Sequence, residues 1–172
     1  MITVLDIETT TKGPDRSPSP FWPENYLVSV GFESEKYTNY LCFNHNHKKP
    51  DEGAKYILSR QLRMTTLLVG HNIKFDLSWL LECGFEYDGK IYDTMIYEYI
   101  KLGGTYGGLD LSTCCARYGI NVKDTIIEGY FNEGIGFEAI DWELVESYGR
   151  NDVRITHELY NAQQGELNAK NN

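Results

Sequence analysis

The feature that most constrains the fold is an apolar strand at the start of the chain that carries two carboxylates. The segment Ile2–Ile7 is apolar and rich in β-branched residues, as in a strand buried on both faces, but Asp6 interrupts it and Glu8 follows. Residues two apart on a strand point to the same face. Two neighbouring carboxylates repel unless a cation lies between them, so the pattern favours a divalent metal ion. The alternative is that the strand ends at Leu5 and both acids are solvated.

The patterns that follow predict an α/β domain. A proline-rich stretch at 9–25 predicts a long ordered loop. Three more strands are predicted at Tyr26–Phe32, Tyr37–Phe43 and Thr65–Val69. Helices are predicted at Ala54–Leu62, Phe75–Glu82, Asp93–Leu102, Asp110–Tyr118 and Trp142–Tyr160. With 172 residues, 41% of them hydrophobic, we expect one domain over residues 1–161 and a polar tail, 162–172, that frays.

Composition and the N-terminal sequence limit the partners and the cellular location that we expect for the protein. The chain has 16 Lys and Arg against 25 Asp and Glu, a net charge of −9, which taken alone disfavours a nucleic-acid partner. No apolar run approaches the roughly 20 residues that span a bilayer, and the N-terminus lacks the pattern of a secretory signal, so we expect no membrane association and a cytoplasmic protein. Four cysteines without Cys-x-x-Cys spacing predict reduced, mostly buried thiols.

Two further clusters could join the carboxylates of the first strand. Asn72 is placed to cap a helix, and Asp76 falls in its first turn, where the helix dipole favours a charged carboxylate. Tyr148 and Asp152 lie four residues apart on one face of a later helix. Taken singly, each has an ordinary explanation: a capped helix, or chance. Together they form a set of hard oxygen ligands suited to Mg²⁺ or Mn²⁺, and two such ions about 4 Å apart indicate phosphodiester chemistry.

These residues resemble the three motifs of the DnaQ-like, or DEDD, exonuclease superfamily in order and spacing. The motifs are Asp6–Thr9, Asn72–Asp76 and Tyr148–Asp152. Tyr148 lies four residues before the last aspartate, as in the tyrosine subtype, whereas Ser147 stands where the histidine subtype has its base. Further stretches resemble the proofreading exonuclease domain of bacterial and phage family A DNA polymerases: Pro20–Gly31, Gly70–Leu77, Asp93–Met95 and Cys115–Gly119. The resemblance extends from Ile2 to about Tyr160.

The resemblance implies a ribonuclease H-like fold, with a mixed central β-sheet flanked by α-helices, and release of 5′-mononucleotides from a 3′ end. It implies two divalent ions, Mg²⁺ or Mn²⁺. Asp6 would bridge them, Glu8 and Asp152 would complete the first site, and Asp76 would hold the second ion. Tyr148 would orient the attacking water, because a phenol with a pKa of about 10 is a poor base at neutral pH.

Candidate substrate contacts lie beside these motifs. Many family A members carry an apolar residue that wedges between bases six places after the first aspartate, and here that place is Lys12. The aromatic pair Phe21 and Trp22 could stack on bases instead, or could anchor the loop on the core. Lys12 and Lys74 could contact phosphates, although exposed lysines are usually only solvated. The remaining candidate contacts are Thr9, Thr10, Asn72 and Phe75.

The sequence thus favours a metal-dependent 3′-5′ exonuclease that acts on DNA, with single strands preferred. One alternative is an exoribonuclease like ribonuclease D, which shares the tyrosine subtype. Another is a non-catalytic module that holds 3′ ends for a polymerase. Because the chain is acidic, we expect weak binding of long nucleic acid, low processivity, or help from a basic partner. The resemblance also makes a DNA polymerase or a single-strand-binding protein a candidate partner. A phage-encoded protein would act in the host cytoplasm.

Overall fold

A five-stranded mixed sheet forms the centre of the molecule. The computed structural model describes residues 1–105, 107–122 and 126–170. The strand order is β3-β2-β1-β4-β5. The bounds are β1 Ile2–Thr9, β2 Leu27–Ser34, β3 Thr38–Cys42, β4 Leu67–Gly70 and β5 Lys90–Asp93. β1 pairs antiparallel with β2 and parallel with β4, β3 pairs antiparallel with β2, and β5 pairs parallel with β4. This mixed sheet flanked by helices confirms the predicted ribonuclease H-like fold.

Helices cover both faces of the sheet. Their bounds are α1 Ala54–Met64, α2 Ile73–Glu82, α3 Thr94–Lys101, α4 Leu111–Arg117, α5 Ile126–Asn132 and α6 Trp142–Lys170. A single 3₁₀ turn, Pro14–Arg16, lies in the proline-rich loop. No helix among the described residues is both long and apolar enough to cross a membrane.

The alternation of β1 separates the two sides of the core. Leu5 and Ile7 pack into one cluster with residues of α1 and α2, among them Leu58. Val4 points the other way and packs against Val153 of α6. Since side chains alternate along a strand, Asp6 and Glu8 lie on the α6 side with Val4. The position of α6 over this face therefore brings its polar residues close to the two carboxylates.

The structure has two short elements that the sequence does not predict, and one predicted disordered end that is helical. β5 was not predicted, because a four-residue edge strand with two exposed residues gives little periodic signal. The short helix α5 was missed as well. The polar segment after Tyr160 does not fray as expected, since α6 continues to Lys170 and Gln163 is fully buried. The amide of Gln163 donates to the Thr94 carbonyl and to Glu98, which fixes this end of α6 to α3. Asn171 and Asn172 of the predicted tail lie outside the described residues.

Candidate active site

Three carboxylates meet where the end of β1 faces α6. The ligand oxygens of Asp6, Glu8 and Asp152 all lie within 4.8 Å of one another, a spacing at which one metal ion could contact all three. Glu8 is 6% exposed, and the other two side chains are partly buried. β1 supplies two of these ligands by its two-residue repeat, and α6 supplies the third from a helix packed on the same face.

Asp76 reaches the cluster from the first turn of α2. It is 3% exposed and accepts a hydrogen bond from the backbone N–H of Ile7, which ties it to β1. Its charge contributes to raising the pKa of Asp6, so the two carboxyl groups are electrostatic neighbours. Asp76 is not part of the three-carboxylate group. That separation is compatible with a second cation held by a different subset of the acids.

The start of α2 is held by a residue from another element. Asn72 occupies the predicted N-cap position, but its backbone is left-handed, with φ 58°, and its side chain makes no capping bond. The prediction that the Asn72 side chain caps this helix is therefore wrong. Asp93 performs this role, since its carboxylate accepts from the N–H groups of Asn72 and Ile73 at 3.0 and 3.1 Å. It also accepts from Met95 and Ile96 in α3, so one carboxylate fixes two helix N-termini.

The four acids oppose one another's ionisation. Burial raises the pKa of Asp6 well above its usual range, and the charges of Asp76 and Asp152 raise it further. Burial also raises the pKa values of Glu8 and Asp76 well above theirs. The pKa of Asp152 rises to about 6, mainly through burial, although a hydrogen bond from Tyr148 acts in the opposite direction. Clustered buried carboxylates with raised pKa values are typical of a site that binds cations.

The hydrogen bonding of the cluster fits a divalent cation. Glu8 Oε1 is buried and has no hydrogen-bond partner among the described residues. An unpaired buried carboxylate oxygen is costly unless a cation or a water satisfies it. The donor set consists only of carboxylate oxygens, which suits Mg²⁺ or Mn²⁺ and not zinc. The residues present therefore fit a hard divalent ion.

Tyr148 lies one helical turn before Asp152 and donates a hydrogen bond to its carboxylate. Burial raises the pKa of the Tyr148 phenol, and the charges of Asp152, Glu8 and Asp6 raise it further. Its ring packs against Phe137 with centroids 5.7 Å apart. The phenol therefore stays protonated at neutral pH and can orient a water or a phosphate oxygen, but not remove a proton.

Two pockets flank the carboxylates. A largely apolar pocket of about 300 Å³ extends from Glu8 and is lined by Thr9, Phe75 and Phe131. A second pocket of about 210 Å³ contains Asp152 and Tyr148 and also borders Phe131. Arg16, in the wall of the first pocket, donates to the carbonyl of Phe131 at 3.0 Å. The acids thus lie between two recesses that could receive adjoining parts of an extended ligand.

The other predicted substrate contacts fall into three environments. Thr9 and Phe75 line the apolar pocket beside Glu8. Thr10 is fully buried, and its hydroxyl is bonded to Asn25 and to the backbone of Tyr26, so it anchors the loop and is not accessible to a substrate. The expectation that Thr10 contacts substrate does not fit this structure.

The remaining candidates are exposed. Asn72 and Lys74 lie on the surface at the start of α2. The ammonium of Lys12 lies over the ring of Tyr26, 4.6 Å from its centroid. Phe21 is 75% exposed, so its ring is free to stack on a ligand. Trp22 is 37% exposed and borders a recess with buried Trp79, so most of its surface is covered.

Comparison with known proteins assigns the chain to a family. The sequence pattern of the family described as 3′-5′ exonuclease matches residues 19–168. The chain belongs to this family. It is therefore a 3′-5′ exonuclease-type enzyme of the DnaQ-like superfamily, and the non-catalytic alternative loses support. No curated protein sequence matches the chain.

Solved structures show the same fold. Brucella melitensis NrnC with bound Mg²⁺ is 16% identical, with a TM-score of 0.65 over 99% of this chain and 75% of that chain. The same protein bound to pGG gives a TM-score of 0.67 at 16% identity, covering 99% of this chain and 74% of that one. The catalytic core of RRP6 from Trypanosoma brucei is 14% identical, with a TM-score of 0.57 over 98% of this chain and 42% of that chain. At these identities the likeness concerns the fold.

Two residues that position the site belong to no motif. Asp93 lies in a stretch that resembles the family, but nothing in the sequence predicts that it caps two helices. Tyr40 is 5% exposed and packs under α6, and the nearby charges of the site carboxylates help to raise its pKa. The sequence indicates only that it belongs to a strand. The preceding β5 strand could have indicated Asp93 as a cap, whereas no local signal indicates Tyr40.

Proposed function

We propose that the enzyme removes nucleotides from unpaired 3′ ends of DNA as 5′-mononucleotides, with two divalent ions, Mg²⁺ or Mn²⁺, as cofactors. The observation that carries the proposal is the group of three carboxylates within 4.8 Å, with the unpaired Glu8 Oε1 inside it. When bound, two such ions supply the positive charge that activates water and stabilises the leaving oxygen in phosphodiester hydrolysis.

Each acid has a role that its position supports. Asp6, Glu8 and Asp152 would hold the first ion, because their oxygens converge. Asp76 would hold the second ion together with Asp6, which would also contact the first ion. The charge of Asp76 acts on Asp6, so the two carboxylates are near enough for this. Tyr148 would orient the attacking water by donating its retained proton to that water, in place of the hydrogen bond that it donates to Asp152 in the metal-free protein.

The apolar pocket beside Glu8 suits the sugar and base of a terminal nucleotide. Phe75 and Phe131 give it aromatic walls, and aromatic faces stack on unpaired bases without regard to sequence. The exposed ring of Phe21, with Trp22 beside it, would stack on bases further along the strand. Lys74 and Lys12 would contact its phosphates. Such contacts require bases free of a complementary strand, which favours unpaired ends.

The charge of the protein bears on how long a strand it holds. Two bound divalent ions add four charges to −9 and leave −5. A protein of this charge gains little from counterion release along a phosphate backbone. We expect low processivity, or help from a basic partner, in the cytoplasm. A DNA polymerase or a single-strand-binding protein is a candidate partner of the enzyme.

An exoribonuclease like ribonuclease D is the second candidate. The observation that favours it is the fold-level similarity to NrnC bound to pGG and to the RRP6 catalytic core. The two candidates differ in how the site receives a 2′-hydroxyl. Digestion of DNA and RNA strands of the same sequence and length, each 5′-labelled, separates them: faster shortening of the RNA would replace the first candidate with the second.

Glu8→Gln and Glu35→Gln make the same chemical change inside and outside the proposed site. Glu35 is exposed in the turn between β2 and β3, at the opposite end of the sheet. With Mg²⁺ and a labelled single strand, we expect wild type and Glu35→Gln to shorten the DNA stepwise from its 3′ end, and Glu8→Gln or added chelator to stop the reaction. Undiminished cleavage by Glu8→Gln would overturn the proposed mechanism.

A further inference from the structure

The ring of Tyr40 lies on the same face of the sheet as Asp6. In the register of the sheet, Asp6 pairs with Gly31 on β2, and Gly31 pairs with Tyr40 on β3. Directly paired residues on neighbouring strands point to the same side. Gly31 has no side chain, so the Tyr40 ring can extend over β2 towards the carboxylates. Tyr40 is only 5% exposed.

The ring occupies a slot between two glycines. A Cβ at residue 31 would lie 2.9 Å from Cδ2 of Tyr40 and 2.9 Å from Cγ2 of Val153. A Cβ at residue 149, on α6, would lie 2.6 Å from Cζ of Tyr40. Ordinary van der Waals contact of a Cβ begins at 3.4 Å. The helix and the sheet thus approach so closely that only glycine fits on either side of the ring.

The phenol of Tyr40 connects the same elements. Its hydroxyl donates to the carbonyl of Val145, one turn before Gly149 on α6, at 3.2 Å. It also shares a 2.8 Å hydrogen bond with Ser29, whose strand position pairs with Glu8. The ring and its hydroxyl therefore contact α6 on one side and the strand beneath Glu8 on the other.

Gly149 lies between the two functional residues of α6. Successive residues of a helix are about 100° apart, so Tyr148 and Asp152 both lie to one side of Gly149 when Gly149 faces the sheet. A change in the height or rotation of α6 at Gly149 would move both side chains relative to Asp6 and Glu8. The contact with Tyr40 sets that height and rotation.

We propose that Tyr40 is a positioning residue, which, seated against Gly149, sets the approach of Asp152 and Tyr148 to the carboxylates of β1. This inference rests on the proposed function and adds a residue to it that carries no metal and contacts no substrate. A misplacement of about 1 Å can cost on the order of 100-fold in rate. A ring that only filled the core would affect stability, but not metal affinity in the folded protein.

The test compares one substitution at two places on the same helix. Gly149→Ala puts a methyl group against Tyr40, whereas Gly165→Ala puts one where no described atom lies within 4 Å. We expect Gly149→Ala to weaken Mn²⁺ binding, measured by calorimetry, and to lower kcat on a single strand, each by roughly ten-fold or more, with KM within about two-fold, since the displacement affects the acids and not the aromatic contacts. Gly165→Ala should match wild type in all three.

Substitutions of Tyr40 test the same contact from the other side. Tyr40→Phe keeps the ring and should retain metal affinity within a few-fold, whereas Tyr40→Leu removes it and should weaken both metal binding and kcat. Combined with Gly149→Ala, Tyr40→Leu makes room for the new methyl group, so the double variant should lose less than the two single losses together. All measurements are made below the unfolding temperature of each variant.

The outcomes separate this inference from the proposed function. If wild type binds Mn²⁺ and cleaves DNA, but folded Gly149→Ala and Tyr40→Leu do so equally well, Tyr40 is not a positioning residue. Should Gly149→Ala fail to fold, Tyr40→Leu alone decides in the same way. If wild type neither binds the metal nor cleaves, the proposed function fails.

Discussion

Replacing Asp152 with asparagine should stabilise the metal-free protein while abolishing cleavage. The folded state raises the pKa of this carboxyl from 3.8 to about 6. At about 1.36 kcal/mol per pKa unit, ionising Asp152 in the folded protein at neutral pH costs on the order of 3 kcal/mol. Asparagine removes this cost, and its carbonyl can still accept the hydrogen bond from Tyr148.

The change in the free energy of unfolding depends on pH, because Asp152 binds its proton more tightly in the folded state. Between pH 4 and 6 the folded protein binds a proton at Asp152 that the unfolded chain has lost, so the free energy of unfolding falls as the pH rises. In EDTA at pH 7, Asp152→Asn should therefore gain about 1–3 kcal/mol, or roughly 2–4 °C in Tm per kcal/mol. The gain should fall below about 1 kcal/mol at pH 4 and vanish at still lower pH, where Asp152 is protonated in both the folded and the unfolded state.

Chemical and thermal unfolding in EDTA at pH 4 and pH 7 measure the effect, with Mg²⁺ added in a second series. Asp110→Asn is the control of opposite sign, because hydrogen bonds from Ser112 and the Thr113 N–H lower the pKa of Asp110 to about 2. Asp110 is exposed, so its loss should destabilise by less than about 1 kcal/mol. Lower stability of Asp152→Asn than of wild type at pH 7, or a gain that is independent of pH, would refute the reasoning.

A hydrogen bond in the site, a buried ion pair and the buried end of α6 each give a further prediction. Tyr148→Phe should keep the fold and metal affinity but lower the rate about 10–100-fold, the value of a hydrogen bond to a charged group, without changing the shape of the pH–rate profile; an unchanged rate would contradict the role of Tyr148. Arg117→Gln should destabilise by about 3 kcal/mol in urea unfolding, because Arg117 is paired at 3.1 Å with fully buried Glu98; a loss under about 1 kcal/mol would show that other partners satisfy that carboxylate. Ending the chain after residue 162 should lower Tm measurably, since it removes buried Gln163, and an unchanged Tm would show that this end of α6 adds no stability.

The sequence predicted those parts of the molecule whose signals are local. Asp6 and Glu8 stand out because charges interrupt an apolar strand, and the spacing of Tyr148 and Asp152 places them on one helix face. The structure brings the carboxylates of β1 and α6 together as the family resemblance implied. Their roles in binding metal and in catalysis stay predictions.

What could not be predicted depends on contacts between distant segments. The polar composition after Tyr160 suggests fraying, but burial of Gln163 against α3 keeps the helix ordered. Asn72 is a common capping residue, yet Asp93 from β5 satisfies the same N–H groups. The fit of Tyr40 against Gly149 exists only once β3 and α6 are packed. In each case tertiary contacts override the local preference.

The length of α6 provides an attachment site for labels that is far from the carboxylates. The helix runs without interruption from Trp142 to Lys170, so its far end lies about 27 Å along the axis from Asp152, at 1.5 Å per residue. A dye or a surface tether attached at the far end of α6 would stay clear of the carboxylates. Energy transfer from such a dye to a labelled nucleic-acid strand could then follow the shortening of single strands. The helix would hold the dye at a constant distance from the carboxylates.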